Sequence, residues 1–462
     1  MERVAEKYLY RERIAPREKE KSQDTYWFVF ACIVLGLAFF FDAPWGRAFY
    51  KYTPITETLG AIYFSSFSET FGVPGVSVTP FELFSIILAG GALSKVFRLL
   101  PDDTAKNIFV AMLASLALIF VAGVTSGWGH GNESRVMLTQ VRAIVSLPLW
   151  LIIGAAFLTT EKRAWIFLSV IASTTFVKSL QGLWSFLYIL ERRKGSQEYI
   201  VEHITSSSIV TALVAFNALI WLKEMDLFKK IFLSLTANSV LGFVFLANDR
   251  RAALVGLAMG FVFLFISFPL KFYRRYFLGM LGGLLMGVLC LAATWETSGA
   301  LGFPARAIKS LTDPSESSSG YRKVENANLL FSIANEPLTG LGFGRRFPEI
   351  FPLPNIATIY SEYNLIPHNT LLFVWTFAGP LGIAGLGTFF ALALALAIRI
   401  FRRSSSLDGC LLGGVAIIVF VQALSYIYAD IGLREVRLLA EVGGIAGYLV
   451  ALSPLTLKEG SL

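Results

Sequence analysis

Charged residues are scarce in this sequence. Asp, Glu, Lys and Arg make up 16% of the 462 residues, whereas soluble domains carry roughly a quarter. Hydrophobic residues make up 55%, and they recur in long runs from one end of the chain to the other. This composition excludes a soluble enzyme and predicts one helical domain that crosses a membrane many times.

Cysteine and histidine are also rare. Cys32, Cys290 and Cys410 are the three cysteines, and each lies in a different apolar run. That spacing favours packing residues over disulfides or metal ligands. We therefore expect no metal site and no cofactor. No small-residue cleavage site follows the first apolar run, so a cleavable signal peptide is not expected.

Runs of about 20 mostly apolar residues are typical of membrane-spanning helices. They predict an all-α fold, a polytopic membrane helical bundle of about 12 transmembrane helices. Two of the runs are short, and Trp165–Leu190 is long enough to be a tilted or a broken helix. The predicted spans are Tyr26–Phe41, Pro80–Lys95, Asn107–Gly127, Val141–Thr160, Trp165–Leu190, Ile204–Leu222, Ile231–Ala247, Ala252–Leu270, Tyr276–Trp295, Thr370–Ile398, Gly409–Tyr428 and Leu438–Leu452.

Lys and Arg clusters predict the orientation of these spans, because cytoplasmic loops are enriched in them. The basic N-terminal segment and the clusters near Lys95, Lys162, Lys229, Lys271 and Arg402 all fall on one side when the spans alternate. The net charge of +8 is explained in this way, without a nucleic-acid partner. The predicted organisation is a cytoplasmic tail at 1–25, helices at 26–295, an external loop at 296–369, helices at 370–452 and a cytoplasmic tail at 453–462.

The external loop is unusually long, and connections of that length are rare without a function. Its apolar-periodic stretch, Val324–Ile333, predicts a short helix. Basic residues gather on this outer side, although it should be poor in them. They are Arg142, Arg250, Arg251, Arg306, Lys309, Arg322, Lys323, Arg345, Arg346, Arg434 and Arg437.

Arginine near a bilayer is costly unless it meets an anion or water, and its guanidinium matches phosphate oxygens. The group as a whole therefore predicts an anion site, plausibly for a lipid-linked phosphate. The alternative is that the arginines reach lipid headgroups or pair with acids such as Glu296, Glu325, Glu336 and Glu362. Asp430, Arg434, Glu435 and Arg437 favour a structural ion-pair cluster.

His368 lies where the long loop re-enters the membrane, in the segment Ile366 to Leu372. Asn369 or Thr370 can cap the following helix. A lone imidazole at such a place often serves only as a hydrogen-bonding group. Beside an arginine cluster, His368 becomes a candidate general base.

Several segments resemble motifs of one known family. Asn335–Gly344 resembles its Pro-Leu-Gly-rich segment, and Pro367–Leu372 followed by Ala378–Gly382 resembles its His-Asn segment. Asn248–Leu254 resembles its Ser-Arg turn, although the residues here are Asp249-Arg250-Arg251, and Gly320-Tyr321-Arg322 resembles its Gly-Arg element. In order and spacing, these segments resemble the O-antigen ligase/polymerase superfamily of bacterial envelope glycosyltransferases.

The resemblance implies a function. Members of this superfamily transfer a glycan from an undecaprenyl-diphosphate carrier to an acceptor hydroxyl on the periplasmic or outer face of the inner membrane, in O-antigen or exopolysaccharide synthesis. It implies functional roles for Arg251, Arg322 and His368. The acceptor is a growing glycan in a polymerase and lipid A-core in a ligase, and the motifs do not separate the two.

A mechanism follows from these residues. Arg251 and Arg322, with Arg250, would stabilise the leaving diphosphate in place of a metal ion, and His368 would accept the proton of the attacking hydroxyl. Direct displacement would invert the anomeric carbon. Glycan or diphosphate contacts are predicted for Arg142, Arg345, Arg346, Gly340, Gly342 and Asn369.

Two alternatives remain open at this level. The glycines of the 340–344 run are equally typical of a plain tight turn. A transporter or flippase for lipid-linked glycans would also need buried cations, but such proteins often show inverted repeats, and none is evident here. We therefore favour a transferase, with the polymerase slightly ahead of the ligase.

Overall fold

The structure is a computed structural model. It describes residues 18–42, 54–72, 78–100, 102–188, 200–202, 204–222, 224–248, 250–268, 289, 291–297, 302–310, 317–357, 362–430 and 432–453.

These residues form α-helices joined by turns and contain no β-strand, which confirms the all-α prediction for the described part of the chain. The helices are α1 Glu18–Phe40, α2 Pro54–Phe64, α3 Phe67–Phe71, α4 Pro80–Leu99, α5 Asp103–Gly129, α6 Ser134–Val141, α7 Ser146–Phe157, α8 Glu161–Tyr188, α9 Thr205–Leu222, α10 Leu227–Ala247, α11 Arg251–Ile266, α12 Phe303–Ser310, α13 Ser317–Asn335, α14 Thr370–Arg403, α15 Leu407–Ala429 and α16 Val436–Leu452.

Seven described helices are long and apolar enough to cross a membrane: α4, α5, α8, α9, α10, α14 and α15. The pair α6 and α7, bent by 44°, gives up to eight. The helices α1 and α11 are apolar but shorter over their apolar part. The ninth predicted span, Tyr276–Trp295, lies largely outside the described residues, and every other predicted span falls on a described helix.

Two spans differ in detail from their predictions. Trp165–Leu190 lies on the single helix α8, so the helix is not broken there. Val141–Thr160 was predicted as one helix, but α6 ends at Val141 and α7 begins only at Ser146. Pro148 accounts for the break, since proline has no backbone N–H and is tolerated only in the first turn of a helix.

Helix α16 lies at the centre of the bundle, and each of its residues from Val436 to Leu452 is buried. It packs along α7 through small residues. A Cβ atom on Gly447 would lie 2.5 Å from the carbonyl oxygen of Leu151, and one on Gly154 would lie 2.3 Å from that of Gly444. Close approach of two backbones through glycine is typical of helix pairs in membranes, where dispersion forces replace the hydrophobic effect.

Acidic and basic side chains are also buried near one end of the bundle. Lys178 of α8 pairs with Asp42 and donates to the carbonyl oxygen of Phe40. Arg437 of α16 donates to Glu202 at 2.6 Å. All four side chains are at most 3% exposed.

Asp430, Arg434, Glu435 and Arg437, the predicted ion-pair cluster at the last outer turn, pair mainly with residues outside the cluster. Arg437 lies 4.0 Å from Glu435 but bonds Glu202, and Arg434 pairs with Glu362 at 2.9 Å. The partners thus come from segments distant in the sequence. Cys32 and Cys410 are buried free thiols, as predicted, and Cys290 lies outside the described residues.

Candidate active site

His368 is held between helix α13 and the start of α14. Asn369 is the N-cap residue of α14, and its side chain accepts from the backbone N–H of Leu372 at 3.1 Å. The backbone N–H of His368 donates to Oε2 of Glu325 on α13 at 3.0 Å. The cap and the carboxylate together fix the main chain on both sides of the imidazole.

The same carboxylate also orients the imidazole ring. Oε1 of Glu325 lies 3.1 Å from Nδ1 of His368. Because a carboxylate only accepts hydrogen bonds, Nδ1 is the donor in this pair, and in a neutral imidazole Nε2 is then the nitrogen that can accept a proton. Glu325 is fully buried, whereas the His368 side chain is 19% exposed. A buried carboxylate therefore orients an imidazole that is itself partly exposed.

Tyr321 covers one side of the histidine. Its ring stands edge-on to the imidazole, with 5.5 Å between the ring centres. Burial raises the pKa of the Tyr321 phenol, and the negative groups Glu325 and Glu349 add to the effect. The phenol therefore stays protonated, and its hydroxyl has no hydrogen-bond partner within the described part of the chain. It can act as a donor towards a bound hydroxyl.

Arg322 follows Tyr321 on α13 and precedes Glu325 by three residues. Residues three apart are neighbours on one face of a helix, so Arg322 lies on the same face of α13 as Glu325. Its side chain is partly exposed.

Arg250 and Arg251 lie at the start of α11, and α15 links them to the histidine segment. The hydroxyl of Ser425 on α15 donates to the carbonyl oxygen of Ala252 at 2.7 Å. The hydroxyl of Thr370 donates to the backbone carbonyl oxygen of Asp430, just after α15, at 3.3 Å. The structure therefore brings the arginine turn and the start of α14 to the same end of α15.

The glycine-rich turn packs against α5. The side chain of Asn132 donates to three of its carbonyl oxygens, at 2.9 to 3.2 Å, and Ser126 donates to Gly340 at 3.0 Å. Gly342 has φ = 72°, and a Cβ atom there would lie 2.1 Å from the backbone nitrogen of Gly127. Gly342 thus allows the turn to pack closely against helix α5. A contact of Gly340 or Gly342 with glycan stays a prediction.

A kink in α14 makes room for this turn. Gly379, which precedes Pro380 inside the helix, has φ = 62° and ψ = −165°. A Cβ atom on Gly379 would lie 2.5 Å from the carbonyl oxygen of Leu338. The backbone N–H of Leu341 donates to the carbonyl oxygen of Thr376 at 2.7 Å. The turn is thereby bonded to α14, the helix that begins just after His368.

Gln140, which the sequence did not single out, ties the same two segments together. Its side-chain nitrogen donates to the carbonyl oxygens of Arg345 and Leu365, at 3.0 and 2.9 Å, and its oxygen accepts from the backbone N–H of Gly344 at 2.6 Å. The side chain is 2% exposed. Its bonds join the glycine-rich turn to the segment that leads into His368.

Arg142, Arg345 and Arg346 are the remaining predicted arginines. Arg142 donates through Nε to Glu82 at 2.5 Å, and Glu82 is also part of the capping box of α4. Arg345 and Arg346 are exposed. Glu325 is the main residue that the sequence reasoning missed, since it was counted only as a possible partner for arginine. Its position one turn after Arg322 in the predicted loop helix was the available signal.

Comparison with known proteins agrees with this geometry. Residues 236–387 match the family model described as O-antigen ligase, and no curated protein matches the chain. The matched region contains Arg250, Arg251, Arg322, Glu325 and His368. The match confirms the predicted resemblance to the O-antigen ligase/polymerase superfamily over this region, and together with the apolar helices it supports a multi-pass bacterial membrane protein.

Proposed function

We propose that this protein is an inverting glycosyltransferase that needs no metal ion. It moves a glycan from an undecaprenyl-diphosphate carrier to a sugar hydroxyl, with His368 as the general base. The observation that supports this most directly is the pair of contacts from Glu325 to the backbone N–H and Nδ1 of His368. They hold the imidazole through Nδ1, and Nε2 is the nitrogen that takes the proton in this proposal.

In the proposed reaction the acceptor oxygen attacks the anomeric carbon of the donor sugar. The new C–O bond forms as the bond to the diphosphate oxygen breaks, and the proton of the hydroxyl passes to Nε2. Glu325 stabilises the imidazolium that results, because it is a buried negative charge in contact with the ring. The attack comes from the face opposite the leaving group, so the anomeric configuration is inverted.

Arg251 and Arg322 bind the diphosphate in this proposal, together with Arg250. Diphosphate leaves more readily when its developing charge meets guanidinium groups in a preorganised site. The bonds of α15 to Ala252 and Thr370 support a shared site, because they hold the arginine turn near the start of α14. Arg142, Arg345 and Arg346 are proposed as further contacts for the glycan or the carrier, and Asn369 as one beside its cap.

The proposed topology places the site outside the bacterial inner membrane. About 12 spans leave both termini in the cytoplasm, and the segment 296–369 forms the external catalytic loop. Contacts between helix ends agree with the alternation of spans. Arg402, at the end of α14, bonds Ser267 at the end of α11, while the starts of both helices meet the opposite end of α15.

Transfer by purified protein tests the proposal. The protein is reconstituted with a diphospho-undecaprenyl oligosaccharide in EDTA, and products of wild type and His368→Ala are separated on a gel. His130→Ala is a matched control, because His130 is an exposed imidazole bonded only within its own turn in the described structure. We expect transfer by wild type and by the control, and loss of about 10²-fold or more in His368→Ala.

The acceptor distinguishes the candidate functions. A ladder of products without added acceptor identifies a polymerase, and transfer only to added lipid A-core identifies a ligase. Absence of transfer to any acceptor, from folded protein and a cognate donor, would overturn the proposal and favour a transporter of lipid-linked glycans.

A further inference from the structure

An open groove lies at the end of the bundle opposite His368. It is bounded by the first turns of α8 and α15 and by the last turns of α9, and its volume is about 470 Å³. The lining contains a cation, an anion, an indole and an apolar wall. These residues are Lys162, Asp408, Trp165, Ile166, Leu219 and Leu222.

Polar contacts hold the two sides of the groove in place. Ser406, the N-cap of α15, donates to Glu161 of α8 at 2.5 Å and accepts from the backbone N–H of Gly409 at 2.9 Å. A Cβ atom on Gly409 would lie 2.6 Å from Oε1 of Glu161. The starts of α8 and α15 are therefore fixed relative to each other without any ligand.

Trp165 supplies a donor without an acceptor. Its side chain is 6% exposed, and its Nε1–H has no hydrogen-bond partner among the described residues. Trp150, the other buried indole among the described residues, donates to Ser85 at 3.1 Å. Buried polar groups in proteins nearly always have a partner, so the indole N–H of Trp165 suits a ligand that accepts hydrogen bonds.

The charges along the groove indicate what that ligand is. Lys162 suits a phosphate, and Asp408 suits an ammonium group, so the lining is complementary to a zwitterion. An anionic headgroup would meet the carboxylate of Asp408 unfavourably. Ile166, Leu219 and Leu222 provide an apolar wall where acyl chains can lie, and tryptophan is enriched at the membrane–water interface.

We propose that this groove binds one phosphatidylethanolamine molecule. Its phosphate accepts from Lys162 and from the indole N–H of Trp165, and its ammonium group donates to Asp408. In the proposed topology this end of the bundle lies at the cytoplasmic leaflet. The site is distinct from the Glu325–His368 pair, and its occupancy does not depend on glycan transfer.

Lipid retention measures the binding. Purified full-length protein is stripped of lipid in detergent and mixed with equal amounts of phosphatidylethanolamine, phosphatidylcholine and phosphatidylglycerol, and the bound lipid is identified by native mass spectrometry. Wild type should retain one phosphatidylethanolamine in preference to the other two. Phosphatidylcholine is the informative competitor, because its quaternary ammonium has no N–H to donate to Asp408.

Two variants separate the contacts. Asp408→Asn, at an exposed position, should reduce the preference for phosphatidylethanolamine over phosphatidylcholine by about threefold, the scale of a solvent-exposed ion pair. Trp165→Phe keeps the apolar ring but removes the donor, and should weaken retention of both lipids by about tenfold, the scale of a hydrogen bond to a charged group. Trp221→Phe is the matched control, since Trp221 is exposed at the end of α9 and does not line the groove.

Equal retention of all three lipids by wild type would overturn the proposal. So would an unchanged preference in Asp408→Asn, whose position on the surface makes misfolding no explanation. A loss of retention in Trp221→Phe equal to that in Trp165→Phe would show general annular lipid and contradict a specific site.

Discussion

Two pairs of charged side chains serve different purposes in this fold. Lys178 and Asp42 are each 2% exposed, and their polar atoms bond within the protein: Lys178 donates to Phe40, and Asp42 accepts from Lys178 and from Thr56. In the other pair Glu325 is fully buried, but the side chain of His368 is 19% exposed. The first pair is closed to the surroundings of the protein, and the second is open to them on the side of His368.

The comparison suggests how to distinguish charged residues that stabilise a membrane protein from charged residues that take part in its reaction. A buried ion pair often adds little net stability, yet removal of one partner leaves an uncompensated charge and costs a great deal. A substitution in a closed pair should therefore lower the stability of the fold and leave the rate of the reaction unchanged. A substitution in an open pair, in which a buried carboxylate orients the exposed partner, should lower the rate and leave the stability largely unchanged.

The largest effect is expected from Glu325→Gln. The amide N–H₂ can donate to Nδ1 of His368, and this favours the tautomer that protonates Nε2 and removes the base. We expect the single-turnover rate of glycan transfer to fall by about 10² to 10⁴, with little change in donor affinity. Glu336→Gln, just beyond the end of α13, is the control. A transfer rate within about threefold of wild type would be incompatible with Glu325 as the orienting group of the base.

Lys178→Met should act in the opposite way. It leaves Asp42 buried without its cation, so we expect the free energy of unfolding to fall by about 3 to 5 kcal/mol. Denaturant unfolding in detergent measures this, and the transfer rate per folded molecule should stay near that of wild type. Adding Asp42→Asn should recover much of the loss. A variant as stable as wild type would mean that the pair is not closed to water.

Glu435, near the buried pair of Arg437 and Glu202, should have a smaller effect on stability, and this effect should depend on pH. Burial raises the pKa of Glu435 to about 7, against the attraction of Arg437 and Arg434 and with the repulsion of Glu202 and Asp430. The native state then binds a proton more tightly than the unfolded state does. Stability should therefore be highest below the unfolded-state pKa of about 4.3 and fall until the pH passes about 7, by at most about 1.4 kcal/mol per pH unit.

Glu435→Gln removes this titration. Melting temperatures of wild type and variant, measured between pH 5 and 8, should diverge as the pH rises, with the variant less sensitive to pH. Glu336→Gln again serves as the control. Parallel curves for wild type and Glu435→Gln would contradict a raised pKa at this position.

Much of the fold was predictable because hydropathy is a local property. The boundaries of α4, α5 and α15 lie close to the predicted spans, since each needs only an apolar run with polar ends. The break before α7 was missed, because the effect of one proline within an apolar run depends on where the helix begins. The central position of α16 was not predictable either, since the predicted span Leu438–Leu452 was among the weakest because it is short.

Some residues of the candidate site were also predictable from the sequence, and others were not. His368, Arg322 and Arg251 were singled out by residue type, order and resemblance, and their roles remain predictions. Glu325 and Gln140 were not singled out, because a carboxylate or an amide on a loop helix is usually solvated. Only the contact with the His368 segment gives each of them a part in the site.

The sequence by itself determined that this protein lies in a membrane, that it is helical, and which family it resembles. Long apolar runs place the chain in lipid, and a helix satisfies all its backbone hydrogen bonds there within one segment. Only the tertiary structure decided which charged pairs are fully buried and which have an exposed partner. Asp42 and Lys178 are 136 residues apart, and Glu325 and His368 are 43 apart. Pairings over such distances depend on how helices pack, which no local pattern of residues encodes.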